Sequence, residues 1–274
     1  MTGRRSFIQA GLAVLGASAV GSLAGCASSP SGKPIPIVVI HGAWYDSGSW
    51  HKVVPMLQAQ GHALVTPDLP GYGSNLRPHA EISFDSYVDE VVRAVNSVPG
   101  RVMLVGHSLG GMFISQAAER IPEKIASLTY VCAFMLRNGE SRIAVAKDDP
   151  GSVALKYRIP AGEGLISFTR QGFIESFYND CSAEDIEYLL ARVKPQPVKP
   201  LQTPLRLSAE NYGRIPRYYV KGLLDQGVTP AFQDKMIAAS PVRRTFELRA
   251  SHSPFMSMPR ELANVLLQVA QESA

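Results

Sequence analysis

One pentapeptide restricts what this chain can fold into more than any other feature. In RVMLVGHSLGGMF an apolar, β-forming run ends at Gly106-His107-Ser108-Leu109-Gly110 and passes at once into the helix-forming GGMFISQAAER. A serine with glycines two residues away on both sides fits a sharp strand-to-helix turn. Such a turn holds the serine in a strained backbone conformation and leaves no room for side chains at the flanking positions. The hydroxyl of Ser108 is then fixed above the end of a strand. The N-terminal dipole and free N–H groups of the following helix point at any oxyanion formed there. A GxSxG string by itself arises often by chance, and the strand before it and the helix after it supply the required context.

The strand-helix rhythm around this turn runs along most of the chain. PIPIVVI, ALVTPD, RVMLVG, IASLTYVCAF, RYYVKG and RRTFEL read as short strands. Between and after them lie the helix-like WHKVVPMLQAQ, FDSYVDEVVRAVNS, GGMFISQAAER, AFQDKMIAAS and PRELANVLLQVAQE. Continuous apolar runs bounded by turns predict strands buried on both faces, and the intervening helices predict right-handed crossovers. The expected fold is α/β, a mostly parallel sheet of about six strands flanked by helices. After Phe134 the rhythm breaks. A stretch of about 135–212 carries the helix-like FIESFYND and AEDIEYLLARV and the proline-rich VKPQPVKPLQTP, and is read as an inserted helical cap. A chain of 274 residues with 46% hydrophobic content can build one large core with such a small addition.

Together these pieces resemble the α/β-hydrolase superfamily, and within it the branch of plant methyl-ester esterases, hydroxynitrile lyases and their bacterial esterase relatives. The resemblance runs from residue 35 to the C-terminus. It rests on IVVIHGAW, SWHKVVPMLQAQGHALVTPDLPGYG, LVGHSLGG, YYVKGLLDQGVTPAFQDKMI and SHSPFMSMPREL, and is weak in the cap. It implies an α/β-hydrolase domain over 35–274 with the cap inserted after the family's sixth-strand position. It also implies the family's chain order of nucleophile, acid and histidine. Ser108 comes first, Asp225 follows RYYVKG, and His252 follows RRTFEL. Cys132-Ala133-Phe134 offers no carboxylate that could replace Asp225. His41 and His107 belong to motif turns, His51 opens a helix, and His62 and His79 lie in a turn and a loop. The family's oxyanion-hole N–H groups map to Ala43, in IHGAW, and Leu109. Gly42, Trp44, Phe134, Phe173, Phe177 and Phe255 are the candidate pocket residues, with the aromatics of ISFTRQGFIESFY set against an apolar substrate.

The activity so implied is hydrolysis of small to medium carboxylic esters through an acyl-enzyme on Ser108. No cofactor or metal is expected, because the chain has no HExxH or paired-cysteine spacing and GYGSN lacks the glycines of a nucleotide loop. A lyase, a thioesterase or lactonase, and a non-catalytic binder remain alternatives. Members that cleave cyanohydrins carry a lysine after the catalytic histidine and a threonine after the first-strand histidine. Here Ser253 and Gly42 stand there. With no cation in the pocket to meet a departing cyanide, and room above Ser108 at Gly42, hydrolysis without cyanohydrin cleavage is expected.

The N-terminal MTGRRSFIQAGLAVLGASAVGSLAGCASSPSGKP reads as a targeting segment. RRSFI resembles a twin-arginine export signal and LAGC a bacterial lipobox. The expectation is a signal peptide over 1–25, a lipidated Cys26 as membrane anchor, and a Ser/Gly/Pro tether over 26–34. The formal charge is +4, and without Arg4 and Arg5 the balance is 25 basic to 23 acidic residues, which is no footprint for nucleic acid. Cys132 and Cys181 read as free, largely buried thiols, a disulfide being the alternative outside the cytoplasm.

Overall fold

Residues 34–274 are described by the structure, a computed structural model; the expected signal peptide, Cys26 and nearly all of the tether lie outside them. β1 (Ile37–Ile40) is followed by α1 (Val54–Gln58), β2 (Leu64–Val65), α2 (Phe84–Asn96), β3 (Val102–His107), α3 (Gly110–Arg120) and β4 (Ile125–Val131). The inserted segment then carries α4 (Ala154–Tyr157), β5 (Arg158–Pro160), β6 (Leu165–Phe168), α5 (Arg170–Phe177), α6 (Ala183–Leu190) and β7 (Gln196–Pro197). The rhythm resumes with β8 (Arg217–Gly222), α7 (Pro230–Ala239), β9 (Arg244–Leu248), α8 (Pro254–Ser257) and α9 (Pro259–Ser273).

Six strands form the main sheet in the order β2-β1-β3-β4-β8-β9, and every pairing is parallel. Every residue of β1, β3 and β4 is buried, which is why these segments read as unbroken apolar runs. The pleat sends alternate residues to two cores. Val38, Ile40 and Leu104 pack with Tyr87, Phe113 and Met236 of α2, α3 and α7. Ile37, Val39, Met103 and Val105 pack on the other face with Leu57, Leu262 and Leu266 of α1 and α9. Local signals start the helices where the pattern requires. Ser83 and Ser86 close a reciprocal capping box on α2, and Thr229 caps α7 with Pro230 in its first turn.

The cap differs from the all-helical insertion that the sequence predicts. β5, β6 and β7 form a three-stranded antiparallel sheet within it. In ISFTRQGFIESFY the opening ISF is strand, and α5 begins only after the Thr169 cap. The strands have two to four residues, too few for a periodic pattern to register. One signal was available: Gly162 and Gly164, between β5 and β6, both have positive φ, as a reversing turn requires.

Candidate active site

Because the sheet is parallel, the C-terminal ends of its strands gather at one edge, where ligands of open α/β sheets bind. Trp44, Ser108 and Cys132 lie just beyond β1, β3 and β4, and they are the described non-glycine residues with positive φ, at 65°, 51° and 48°. The turn at Ser108 is as tight as the sequence predicts. A Cβ added at Gly106 would come within 2.9 Å of the Gly110 backbone, and one at Gly110 within 2.8 Å of the Ile40 and His41 carbonyl oxygens. The Ser108 N–H donates to the Val131 carbonyl at 3.2 Å, and its own carbonyl accepts from Phe134 N–H at 3.0 Å, so neighbouring strand ends hold the strained residue.

Ser108, Asp225 and His252 meet although 144 positions separate the serine from the histidine. His252 Nε2 lies 2.8 Å from Ser108 Oγ, and Nδ1 lies 2.7 Å from Asp225 Oδ2. The other Asp225 oxygen accepts from the N–H groups of Gly227 and Val228, both at 2.8 Å. Burial pushes the Asp225 carboxyl above its ordinary range, while the His252 ring and these N–H donors pull it back. Gln233 stiffens the acid loop: its amide donates to Val228 O at 2.7 Å and accepts from Gly222 N–H at 3.1 Å. Among the described residues, the N–H groups of Ala43 and Leu109 have no hydrogen-bond partner, and both residues border the same cavity as Ser108.

Two histidines that sequence reasoning left in plain turns position this machinery. His41 Nε2 accepts from Leu69 N–H at 3.0 Å, so Nδ1 carries the proton and donates to the Gly42 carbonyl at 2.8 Å. Burial lowers the pKa of His41, which favours this neutral form. The bond fixes the loop that carries Ala43. His107 Nε2 donates to the His252 carbonyl at 2.8 Å, and burial, followed by the nearby His252 ring, keeps its pKa well below the usual imidazole range. The cap contributes as well: Asp180 accepts from Ser251 N–H at 2.9 Å, and Asn179 donates to Leu224 O at 3.0 Å. Each bond holds a residue beside His252 or Asp225. No sequence spacing marks Asp180 for this task.

A family model described as "Alpha/beta hydrolase family" matches residues 37–265. The chain belongs to the alpha/beta hydrolase family. It is 30% identical over 250 residues to methylesterase 9 of Arabidopsis thaliana, a match covering 86% of this chain and 98% of that protein. Methylesterase 17 of the same plant is also 30% identical, over 258 residues, covering 88% and 93%. The crystal structure of polyneuridine aldehyde esterase superposes with a TM-score of 0.78 at 25% identity, covering 87% of this chain and all of that one.

In this alpha/beta hydrolase the triad opens on a cavity of about 720 Å³ between sheet edge and cap. Trp44, Phe134 and Phe177 line it as expected, joined by Phe168 and by the aliphatic Leu165, Ile166 and Leu201. Three candidate pocket residues are elsewhere. Phe173 stands behind the wall, packed on Trp44, Phe168 and Phe177. Phe255 is core, tilted on Trp50 and edge-on to His107. Gly42 does not border the cavity: a Cβ there would sit 2.8 Å from Ser108 Cβ and 2.9 Å from His107 Nδ1. The space it preserves is the close approach of loop and elbow, so it leaves no room for a leaving alcohol.

Ser253 is likewise off the cavity wall, fully buried, with its hydroxyl 3.0 Å from Tyr45 OH. The expectation of a pocket without a cation is corrected by Arg142 and Arg158, which both line it. Cys132 and Cys181 are free thiols.

Proposed function

We propose that this alpha/beta hydrolase is a serine esterase that cleaves small to medium carboxylic esters, methyl esters among them, through an acyl-enzyme on Ser108. One observation carries the reading: the hydrogen-bonded series Asp225–His252–Ser108 ends with the hydroxyl at a largely apolar cavity. His252 Nε2 takes the Ser108 proton as Oγ attacks the ester carbonyl, then returns it to the departing alcohol. Asp225 keeps the proton-bearing Nδ1 turned toward itself and stabilises the cation formed on the ring. The N–H groups of Ala43 and Leu109 receive the tetrahedral oxyanion, helped by the N-terminus of α3. Water repeats the cycle on the acyl-enzyme. Relatives named as methylesterases, matched over nearly their full length, support methyl esters as the substrate class.

A panel of methyl esters, p-nitrophenyl butyrate, lactones and thioesters tests this, with a fluorophosphonate probe as the second readout. Turnover of the oxygen esters and a covalent adduct on the Ser108 peptide are expected. Absence of both from folded protein, or a labelled protein that turns over only thioesters, overturns the assignment.

The N-terminal segment supports a lipoprotein whose mature chain starts at a diacylated or triacylated Cys26, held to a membrane of the cell envelope through the Ser/Gly/Pro tether. Mass spectrometry of the membrane fraction reads the modification directly. An unmodified Cys26 in a chain that retains Met1 refutes the anchor.

A further inference from the structure

We propose that Arg142 is an anion-recognition residue in the substrate cavity, so that the preferred esters carry a free carboxylate in addition to the ester that is cleaved. The inference rests on the esterase reading and narrows its substrate class to half-esters of dicarboxylic acids.

The guanidinium of Arg142 lies over the Phe134 ring, 4.4 Å from its centroid, and Phe134 is itself tied to the nucleophile's carbonyl through its N–H at 3.0 Å. Arg142 and Ser108 border the same cavity. Among the described residues the guanidinium has neither a hydrogen bond nor an ion pair. Asp149 is the carboxylate that acts on it most, yet its two oxygens are taken by the N–H and the hydroxyl of Thr229, at 3.0 and 2.5 Å. Asp148 pairs with Lys235 at 3.3 Å. Among the described residues no aspartate or glutamate lines the cavity, and its second charged residue, Arg158, is also a cation.

Holding an uncompensated charge this way is costly, and burial pulls the Arg142 pKa down to about 10; attraction from Asp149 opposes that and repulsion from Arg158 adds to it. At neutral pH the group is still charged. Packing over Phe134, worth on the order of 2 kcal/mol for a desolvated cation–π contact, offsets only part of the cost of several kcal/mol of taking a charge out of water. An incoming anion supplies the missing partner.

The remaining polar side chains on the wall are Ser108, His252 and Gln196. Gln196 is already engaged: Oε1 accepts from Tyr72 OH at 2.5 Å, and its amide donates to Pro197 O at 2.8 Å and to Tyr87 OH at 3.5 Å. The free donors are thus the oxyanion-hole N–H groups at one place and the guanidinium groups at another, with apolar wall between. That pattern suits a short hydrocarbon chain with an ester at one end and a carboxylate at the other. The planar two-oxygen carboxylate matches the guanidinium fork.

The test compares the monomethyl and dimethyl esters of one dicarboxylic acid, repeated from succinate to suberate. The readout is the ratio of kcat/KM for the half-ester to that for the diester within each enzyme, so that a general loss of activity cancels. Wild type should favour the half-ester, most strongly at one chain length. In Arg142→Gln the ratio should fall on the order of ten- to a hundred-fold, mainly through KM, as expected for losing a hydrogen bond to a charged group. Arg142→Lys should restore part of it. Should Arg142→Gln not fold, inhibition of wild type decides. Adipate should compete with substrate, more weakly at high salt, and its diamide should not.

A wild-type ratio at or below one, a ratio unchanged in Arg142→Gln, or equal inhibition by adipate and diamide overturns the inference while the esterase reading stands. Failure on every ester, the neutral chromogenic ones included, is a failure of the esterase reading itself.

Discussion

The parallel sheet and the segment inserted between β4 and β8 meet at one cavity but are built differently. On the sheet side, Ser108, Asp225 and His252 are almost wholly buried and each lies a short way beyond a strand; backbone groups at and beyond the end of β4 hold Ser108, the N–H groups of Gly227 and Val228 hold Asp225, and the His107 ring holds the His252 carbonyl. On the cap side the elements are short, Ile143, Leu155 and Ile159 on the cavity wall remain exposed, and the side chains of the two wall arginines, Arg142 and Arg158, have no hydrogen bond or ion pair among the described residues. Reactive geometry here depends on a rigid frame that tolerates little displacement. Substrate choice depends on side chains set on loops and short strands, where substitution costs the core little.

The cap is nevertheless fastened to the frame at chosen points. Arg192 pairs with Asp46 at 2.9 Å, Lys52 with Asp185 at 2.5 Å, and the Trp44 indole donates to Ile166 O at 3.3 Å. The Asp180–Ser251 bond carries the fastening to the residue beside His252. The division of labour therefore has a seam where cap residues should affect turnover as well as selectivity.

The sharpest break of this comparison is Ser108→Ala. It should leave the circular dichroism spectrum and melting temperature of the folded protein nearly unchanged and reduce ester turnover on the order of ten-thousand- to million-fold. Near wild-type turnover would detach the chemistry from the sheet edge. Asp225→Asn should lose on the order of ten-thousand-fold in kcat, because the amide no longer holds the ring with its proton on Nδ1. A loss confined to KM would contradict that role.

On the other side of the cavity, Phe177→Ala removes a ring stacked 5.6 Å from Trp44 and 5.1 Å from the His252 ring. Loss of about 1–3 kcal/mol of apolar contact should lower kcat/KM for aromatic esters five- to a hundred-fold, and for acetate esters much less. Equal losses on both would place Phe177 with the machinery instead of with selectivity. The seam is tested by Asp180→Asn. Weakening the charge-assisted bond to Ser251 N–H should lower kcat about tenfold, with the aromatic-to-acetate preference unchanged. A changed preference with unchanged kcat would assign Asp180 to the cap alone.

The smallest effect belongs to a loop that underlies the sheet edge. Asp68 accepts from Ser47 N–H at 2.8 Å and from the N–H and hydroxyl of Ser74, also at 2.8 Å. Burial raises its pKa, but the bonds from Ser74 and Ser47 outweigh that and bring it down to about 2. A carboxyl depressed in the folded state stabilises it above the unfolded pKa, and the stabilisation fades as pH falls through the folded value. Asp68→Asn should therefore lower the urea midpoint slightly at pH 7, and the gap from wild type should close between about pH 4 and pH 2. A gap that persists at the acid end would mean the charge contributes nothing there.

How far the sequence could be read follows the same line between frame and cap. Gly106, Ser108 and Gly110 were legible because their constraint is local: two glycines are required by atoms within a few residues or on the adjoining strand end. β1, β3 and β4 were legible because burial on both faces leaves an apolar run with nothing to interrupt it, whereas the largely exposed β9 was read from its place in the strand-helix rhythm. Asp225 and His252 needed the resemblance to a family, since an acid after one strand and a histidine after another carry no mark of their partnership. The cap sheet was missed because its strands are too short for periodicity, and Gly42 and Phe255 were misassigned to the pocket because nearness in chain to the site says nothing about which way a position faces.

The sequence by itself determined the main strands of the sheet and the strained serine turn. Each of these is written in short-range sterics, burial patterns or motifs contiguous in the chain. Only the tertiary structure decided that His41 and His107 brace the oxyanion loop and the histidine loop, that Asp180 reaches from the cap to Ser251, and that Arg142 faces the cavity unpaired. Whether a charge has a partner depends on every segment that folds around it, and residues 142, 149, 158 and 229 are brought together by packing that no spacing along the chain records.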